Sequence, residues 1–162
     1  MGLLKGLDPL LTADLLYILR SMGHGDELVI CDCNFPAVST SRQTISQKLI
    51  VLTCSLPEAI SAICSVLPLD YFLPRQGEYM APQEGFDMPE EGRQVILEST
   101  NAINKYSSSS DVVAKVLPVE RFQFYERSKK CYAVVQTLER RPYGNIILTK
   151  GCIGPDGNDL KP

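Results

Sequence analysis

A single histidine, His24, occurs in the 162 residues, so any Cys–His or Ser–His pair would have to use that one imidazole. There is no Gly-x-Ser-x-Gly nucleophile elbow and no glycine-rich loop with P-loop or dinucleotide-binding spacing. No run approaches the ~20 apolar residues that a helix needs to cross a bilayer. The opening MGLLKGLDPLL lacks a basic leader, and Asp8 and Pro9 interrupt it, so it does not read as a secretory signal. Position 6 is glycine, where myristoylation after Gly2 prefers Ser or Thr. An excess of basic charge is missing too. The 16 Lys and Arg are outnumbered by 19 Asp and Glu, for a net charge of -3, which excludes the electrostatic footprint of a nucleic-acid or anionic-membrane binder. No internal repeat is visible.

What remains is an ordinary globular composition, 44% hydrophobic and 22% charged, in a chain long enough for one core. We expect a single domain over residues 1–152, followed by a loose tail over 153–162 that is rich in Gly, Pro and Asp. Several of the six cysteines (31, 33, 54, 64, 131 and 152) lie in apolar runs, where a thiol acts as a small hydrophobe. With no secretory leader in view they are expected to be reduced, in the cytosol.

Helical and strand patterns alternate along the chain. Thr12 reads as an N-cap, Leu15, Leu16, Leu19 and Met22 as an apolar face, and Gly23 as the stop. Glu27 to Cys33 and Gln47 to Leu52 read as buried strands. Between Ser55 and Glu58 lies a capping box that opens a helix through Ile60, Ile63 and Val66. Tyr71 to Ala81 suggests a strand or two, residues 82 to 92 a loop, and Arg93 to Lys105 a helix. The serines from Ser107 to Ser110 suggest a surface turn. Val112 to Leu117 reads as a strand closed by Pro118. Val119, Phe122, Tyr125, Lys129 and Tyr132 suggest one long amphipathic helix toward Thr137, before a last strand over Asn145–Thr149. This order predicts a three-layer α/β/α sandwich around a mixed, largely parallel sheet. Ligands of such sheets bind where strand ends meet loops.

His24 lies between two glycines, just after a helix and just before a strand. An imidazole there can move protons near neutral pH, or it can simply cap the helix or stand in solvent. Asp32 interrupts an apolar strand. A carboxylate in that setting either faces a cleft at the strand end or caps a turn. Cys31 and Cys33 with His24 would supply at most part of a metal site, and no second pair completes a tetrahedral set. Arg121, Tyr125, Glu126 and Arg127 have an ordinary explanation as a solvated helix face. Tyr143-Gly-Asn145 is locally a turn.

Taken together, four blocks are more specific than any one of them. Met22-Gly-His-Gly-Asp26, Cys31-Asp32 with Asn34-Phe-Pro-Ala37, Arg121-Phe-Gln-Phe-Tyr-Glu-Arg127 and Tyr143-Gly-Asn-Ile-Ile-Leu148 resemble, in order and spacing, the fucose mutarotase / ribose pyranase family. The resemblance covers roughly residues 3 to 152 and follows the fucose branch wherever the two branches differ. Its Ile-Arg-Ala-Asp-Gly segment is replaced here by Ile45-Ser-Gln-Lys48, and the stretch from Gln76 to Asp111 matches poorly. The resemblance implies a cofactor-independent isomerase that opens and recloses L-fucose, with ribose pyranase or a non-catalytic monosaccharide-binding protein as alternatives. It implies His24 as proton donor, with Asp32 holding the sugar or the imidazole. Arg121, Tyr143 and Asn145 would line the same pocket, and Tyr143 would be a second proton carrier. It also implies a homo-oligomer with pockets near subunit boundaries, where Tyr143 could serve a neighbour's site, and neither a metal nor an organic cofactor.

Overall fold

Glu27–Cys31 forms strand β1, and every residue after Glu27 is buried, so the strand has a layer on each face. Leu28 and Ile30 point into one apolar cluster and Val29 and Cys31 into another, the two-residue alternation of a strand. The computed structural model describes residues 2–106 and 113–162. Around β1 the elements run α1 (Ala13–Ser21), α2 (Ala37–Ser41), β2 (Leu49–Val51), α3 (Leu56–Cys64), β3 (Gly77–Ala81) and α4 (Glu90–Asn104). Then follow β4 (Val116–Glu120), α5 (Arg121–Ser128), β5 (Ala133–Gln136) and β6 (Ile146–Thr149).

The sheet order is β2-β5-β1-β6-β3-β4. β5 pairs in parallel with β1 and β2, and β3 with β4, while β6 runs antiparallel between β1 and β3. Helices α1, α3 and α4 pack on the Leu28/Ile30 face, and α2 and α5 on the other. The expected three-layer sandwich with a mixed, largely parallel sheet is the observed one.

Thr12 caps α1 by accepting from Leu15 N at 3.2 Å. Glu58 closes the start of α3 by accepting from Ser55 N at 2.8 Å. The α1 stop differs in detail: Met22, in extended conformation, is the C-cap, and Gly23 follows it with its N–H on Asp26 Oδ2 at 2.7 Å.

The long helix toward Thr137 is the main correction. α5 ends at Ser128, and Ala133–Gln136 forms β5, a central strand between β1 and β2. The 119/122/125 stripe misled because Phe122 is exposed. The apolar residue α5 buries is Phe124, and the consecutive Val134 and Val135 pack on opposite sheet faces as a strand requires. Smaller corrections follow the sheet edges. The second strand is short and its Val51 is exposed, because β2 is an edge. Only one strand forms between Tyr71 and Ala81, α4 begins three residues earlier than expected, and β1 stops before Asp32. Pro118 does not close β4 but sits within it, which an edge strand tolerates because one side has no ladder to break. The expected turn over Ser107–Ser110, and Val112, lie outside the described residues.

Phe124 is fully buried and meets Phe35 edge-on with ring centroids 6.3 Å apart. Phe124→Ala is expected to cost about 3–5 kcal/mol, read as a lower urea midpoint at an unchanged slope.

Candidate active site

Two ends of the sheet carry the residues singled out above. At the C-terminal end of β1 the chain turns at Asp32, whose Oδ1 accepts from Asn34 N at 2.9 Å. Asn145, at the start of the neighbouring β6, grips the same residue twice. Its Oδ1 accepts from Asp32 N at 3.0 Å, and its Nδ2 donates to Asp32 Oδ2 at 2.8 Å. Asp32 therefore both caps its turn and faces a cleft, so the two explanations of this carboxylate are compatible. Burial pushes its pKa up, against the hydrogen bonds from Asn34 and Asn145 that favour the ionised form.

The cleft has a volume of about 270 Å³. Asp32 and Asn145 are its buried polar groups, Phe35 and Met80 give it apolar surface, and Arg121, Tyr125 and Tyr143 are among its other lining residues. Arg121 opens α5, with its guanidinium over the rings of Phe122 and Tyr125 at 5.5 and 5.9 Å. Glu120 fixes that helix start by accepting from Phe122 N and Gln123 N. Tyr143 adopts a left-handed φ of 62°, rare for a side chain of its size. Carboxylate, amide, guanidinium and phenol converging on one half-apolar cleft suit a polyhydroxyl ligand of monosaccharide size. A larger groove of about 530 Å³ beside the segment Gly2–Leu16 suits one poorly. It is mostly aliphatic, and Asp8 and Thr12 already accept from Leu10 N and Leu15 N.

His24 is elsewhere. Its loop precedes β1 and meets the far end of β6, where Gly25 N donates to Lys150 O at 2.9 Å. Five β1 residues at ~3.3 Å each put roughly 17 Å of strand between this loop and Asp32. Lys150 Nζ donates to Leu19 O and Met22 O, tying the loop to the end of α1. Gly25 takes a φ of +86° that lets the loop turn. The imidazole is exposed, and its Nε2 lies 2.9 Å from Asp70 Oδ2. Within one chain the structure thus brings Asp32, Arg121, Tyr143 and Asn145 together and leaves His24 apart.

Asp70 is the residue that sequence reasoning missed. It is buried, its Oδ1 accepts from Phe72 N at 3.0 Å, and it is the imidazole's carboxylate partner. The signal was an acid inside the apolar run Leu67-Pro-Leu-Asp-Tyr71, the same anomaly that drew attention to Asp32. On α5, Arg127 crosses to Glu27 and Glu78, and Glu126 pairs with Lys129, so those charges are structural. Cys33 is exposed beyond β1 while Cys31 is buried, its thiol pushed well up by burial, so the two do not form a pair of adjacent ligands. Among the described residues no three His, Cys, Asp or Glu side chains are grouped to hold a metal ion, and no helix is long and apolar enough to cross a membrane.

Known proteins resemble this chain over nearly their whole length. The fucose mutarotase of Danio rerio is 38% identical over 160 residues, covering 96% of this chain and 98% of that protein. The fucose mutarotase of Homo sapiens is 38% identical over 158 residues, covering 94% and 96%. The crystal structure of the Streptococcus pneumoniae fucose mutarotase in complex with L-fucose superposes with a TM-score of 0.78 at 34% identity, covering 93% of this chain and 100% of that one. The family pattern described as the RbsD / FucU transport protein family matches residues 5–153, and the chain belongs to that family.

Proposed function

We propose that this protein is an L-fucose mutarotase, an isomerase that interconverts the α and β anomers of the free sugar. The supporting observation is the Asp32–Asn145 cleft, set in a chain 34–38% identical to fucose mutarotases over nearly its full length. Exchanging anomers requires opening a cyclic hemiacetal and closing it on the other face of C1. An acid protonates the ring oxygen while a base takes the proton from the anomeric hydroxyl, and the roles reverse on closing. Acid–base groups alone supply this chemistry.

His24 is the proton donor, and Asp70 holds the imidazole through Nε2. Asp32 accepts hydrogen bonds from sugar hydroxyls, Asn145 fixes that carboxylate, and Arg121 donates to the hydroxyls on the open side. Tyr143 is the second proton carrier. Because β1 separates His24 from the other four, one chain does not assemble the reaction centre. The site is completed when the His24 loop of one copy meets the Asp32 cleft of another in a homo-oligomer. Residues 1–152 act as one catalytic domain with 153–162 as an appendage, in the cytosol, where the free thiols would stay reduced.

Saturation-transfer NMR on L-fucose tests the activity. Magnetisation is expected to pass between the α and β H1 resonances faster with protein present, and D-ribose serves as the comparison sugar. Fucose binding without faster exchange would leave only a sugar-binding protein.

A further inference from the structure

The residue three positions after β5 has no role in the reaction described above, yet it is more heavily bonded than any group in the cleft. Glu139 is buried, and its carboxylate accepts five hydrogen bonds. Arg140 N, Arg141 N and Arg141 Nε reach Oε1 at 3.1, 3.0 and 2.9 Å, and Arg141 Nη2 reaches Oε2 at 2.9 Å. Leu56 N, at the start of α3, reaches Oε2 at 3.3 Å. Arg141 then spans to α4, with Nη1 on Glu98 Oε2 at 2.8 Å.

We propose that Glu139 is a positioning residue for the cleft, its clasp with Arg141 and Glu98 fixing Asp32, Tyr143 and Asn145 relative to one another. This rests on the mutarotase function proposed above. Two observations connect the clasp to the cleft. The Glu139 carbonyl accepts from Cys33 N at 2.9 Å, so it anchors the chain one residue after Asp32. The chain at Gly144, between Tyr143 and Asn145, is wedged against the same side chain. A Cβ there would lie 2.9 Å from Glu139 Cγ and 3.6 Å from Asp32 Cβ. One buried residue thus touches both walls of the cleft, through its carbonyl on one side and its side chain on the other, and the left-handed Tyr143 sits in the segment it holds.

Burial alone would raise the Glu139 pKa, but the hydrogen bonds from Arg141 and from Leu56 N overcome this and bring it down to about 2. The clasp therefore stays ionised wherever the enzyme works. Its charge also reaches Asp32, whose protonation it favours. The other titratable or charged groups facing Asp32 are Arg121 and Tyr125 from α5, Tyr143 from the loop, and Cys31 from β1.

Two substitutions test the proposal. Glu139→Gln keeps the shape and removes the charge, and kcat for fucose exchange is expected to fall roughly 10–100-fold, the scale seen when a supporting partner is lost. The midpoint of the Asp32 13C carboxyl resonance is expected to move to lower pH, because a repelling charge is gone. Glu98→Gln cuts only the outer arm, at a partly exposed position, and is expected to lower kcat severalfold with an unchanged melting temperature. A folded Glu139→Gln protein with wild-type kcat and an unmoved Asp32 midpoint would overturn the proposal. Should that variant fail to fold, wild-type exchange in Glu98→Gln would overturn it equally. If the wild-type protein itself exchanges no fucose, the proposed function fails, and two NMR readouts then decide the positioning role. A moved Asp32 midpoint in Glu139→Gln, together with displaced amide resonances of residues 143–145 in Glu98→Gln, supports it. Unmoved resonances in both overturn it.

Discussion

The His24→Ala protein is expected to exchange L-fucose anomers roughly 10²–10⁴-fold more slowly than wild type, the usual contribution of one positioned acid–base group. The fold should be spared, because the imidazole is exposed and its loop is held by Lys150 and Asp26 rather than by the ring. Circular dichroism and a melting temperature close to wild type would confirm that only the chemistry was lost. Asp70→Asn is the companion measurement. The amide oxygen can still accept from Phe72 N, but the imidazolium loses its counter-charge, so a smaller loss of about tenfold is expected. Wild-type exchange in His24→Ala would move the proton chemistry to another residue altogether.

A one-to-one mixture of His24→Ala and Asp32→Asn subunits, each inactive alone, is expected to recover about a quarter of the wild-type rate after reassembly, because the shared site proposed above would draw its two halves from different copies. In random mixing, one shared site in four receives both intact halves. The expectation follows from the strand between the two loops: the His24 loop is hydrogen-bonded through Gly25 beside one end of β6, and Asp32 beside the other. A centre contained within one chain predicts no recovery at any mixing ratio. The assay is the same NMR exchange experiment, after denaturing and refolding the mixture.

Much of this was legible in the sequence, for identifiable reasons. The Thr12 cap, the Ser55–Glu58 box and the two-sided burial of β1 are local chemistry, and each is visible within a few residues. Asp32 stood out because an acid in an apolar strand demands a partner, and Asn145 is that partner from 113 positions away. The α5–β5 boundary was not legible. Its helical stripe is real in spacing, but the sheet's need for a strand between β1 and β2 outweighs it, and that is a tertiary constraint. Asp70 was hidden for a similar reason. Its meaning comes from the imidazole 46 positions away, and no local pattern joins the two. The separation of His24 from the cleft was legible in outline, since the expected strand runs between His24 and Asp32; that Arg121, Tyr143 and Asn145 all gather at the Asp32 end was not, because that grouping is set by the sheet order.

The antiparallel β6 has a consequence for how the protein responds to its own concentration. In the shared site proposed above, its two termini would present complementary halves of the reaction centre, so that a lone subunit would carry both halves and complete neither. Catalysis then depends on mass action between copies. On dilution past the assembly's dissociation constant, turnover per subunit should collapse while every subunit remains folded. Adding back a catalytically dead copy with an intact cleft should revive the rate.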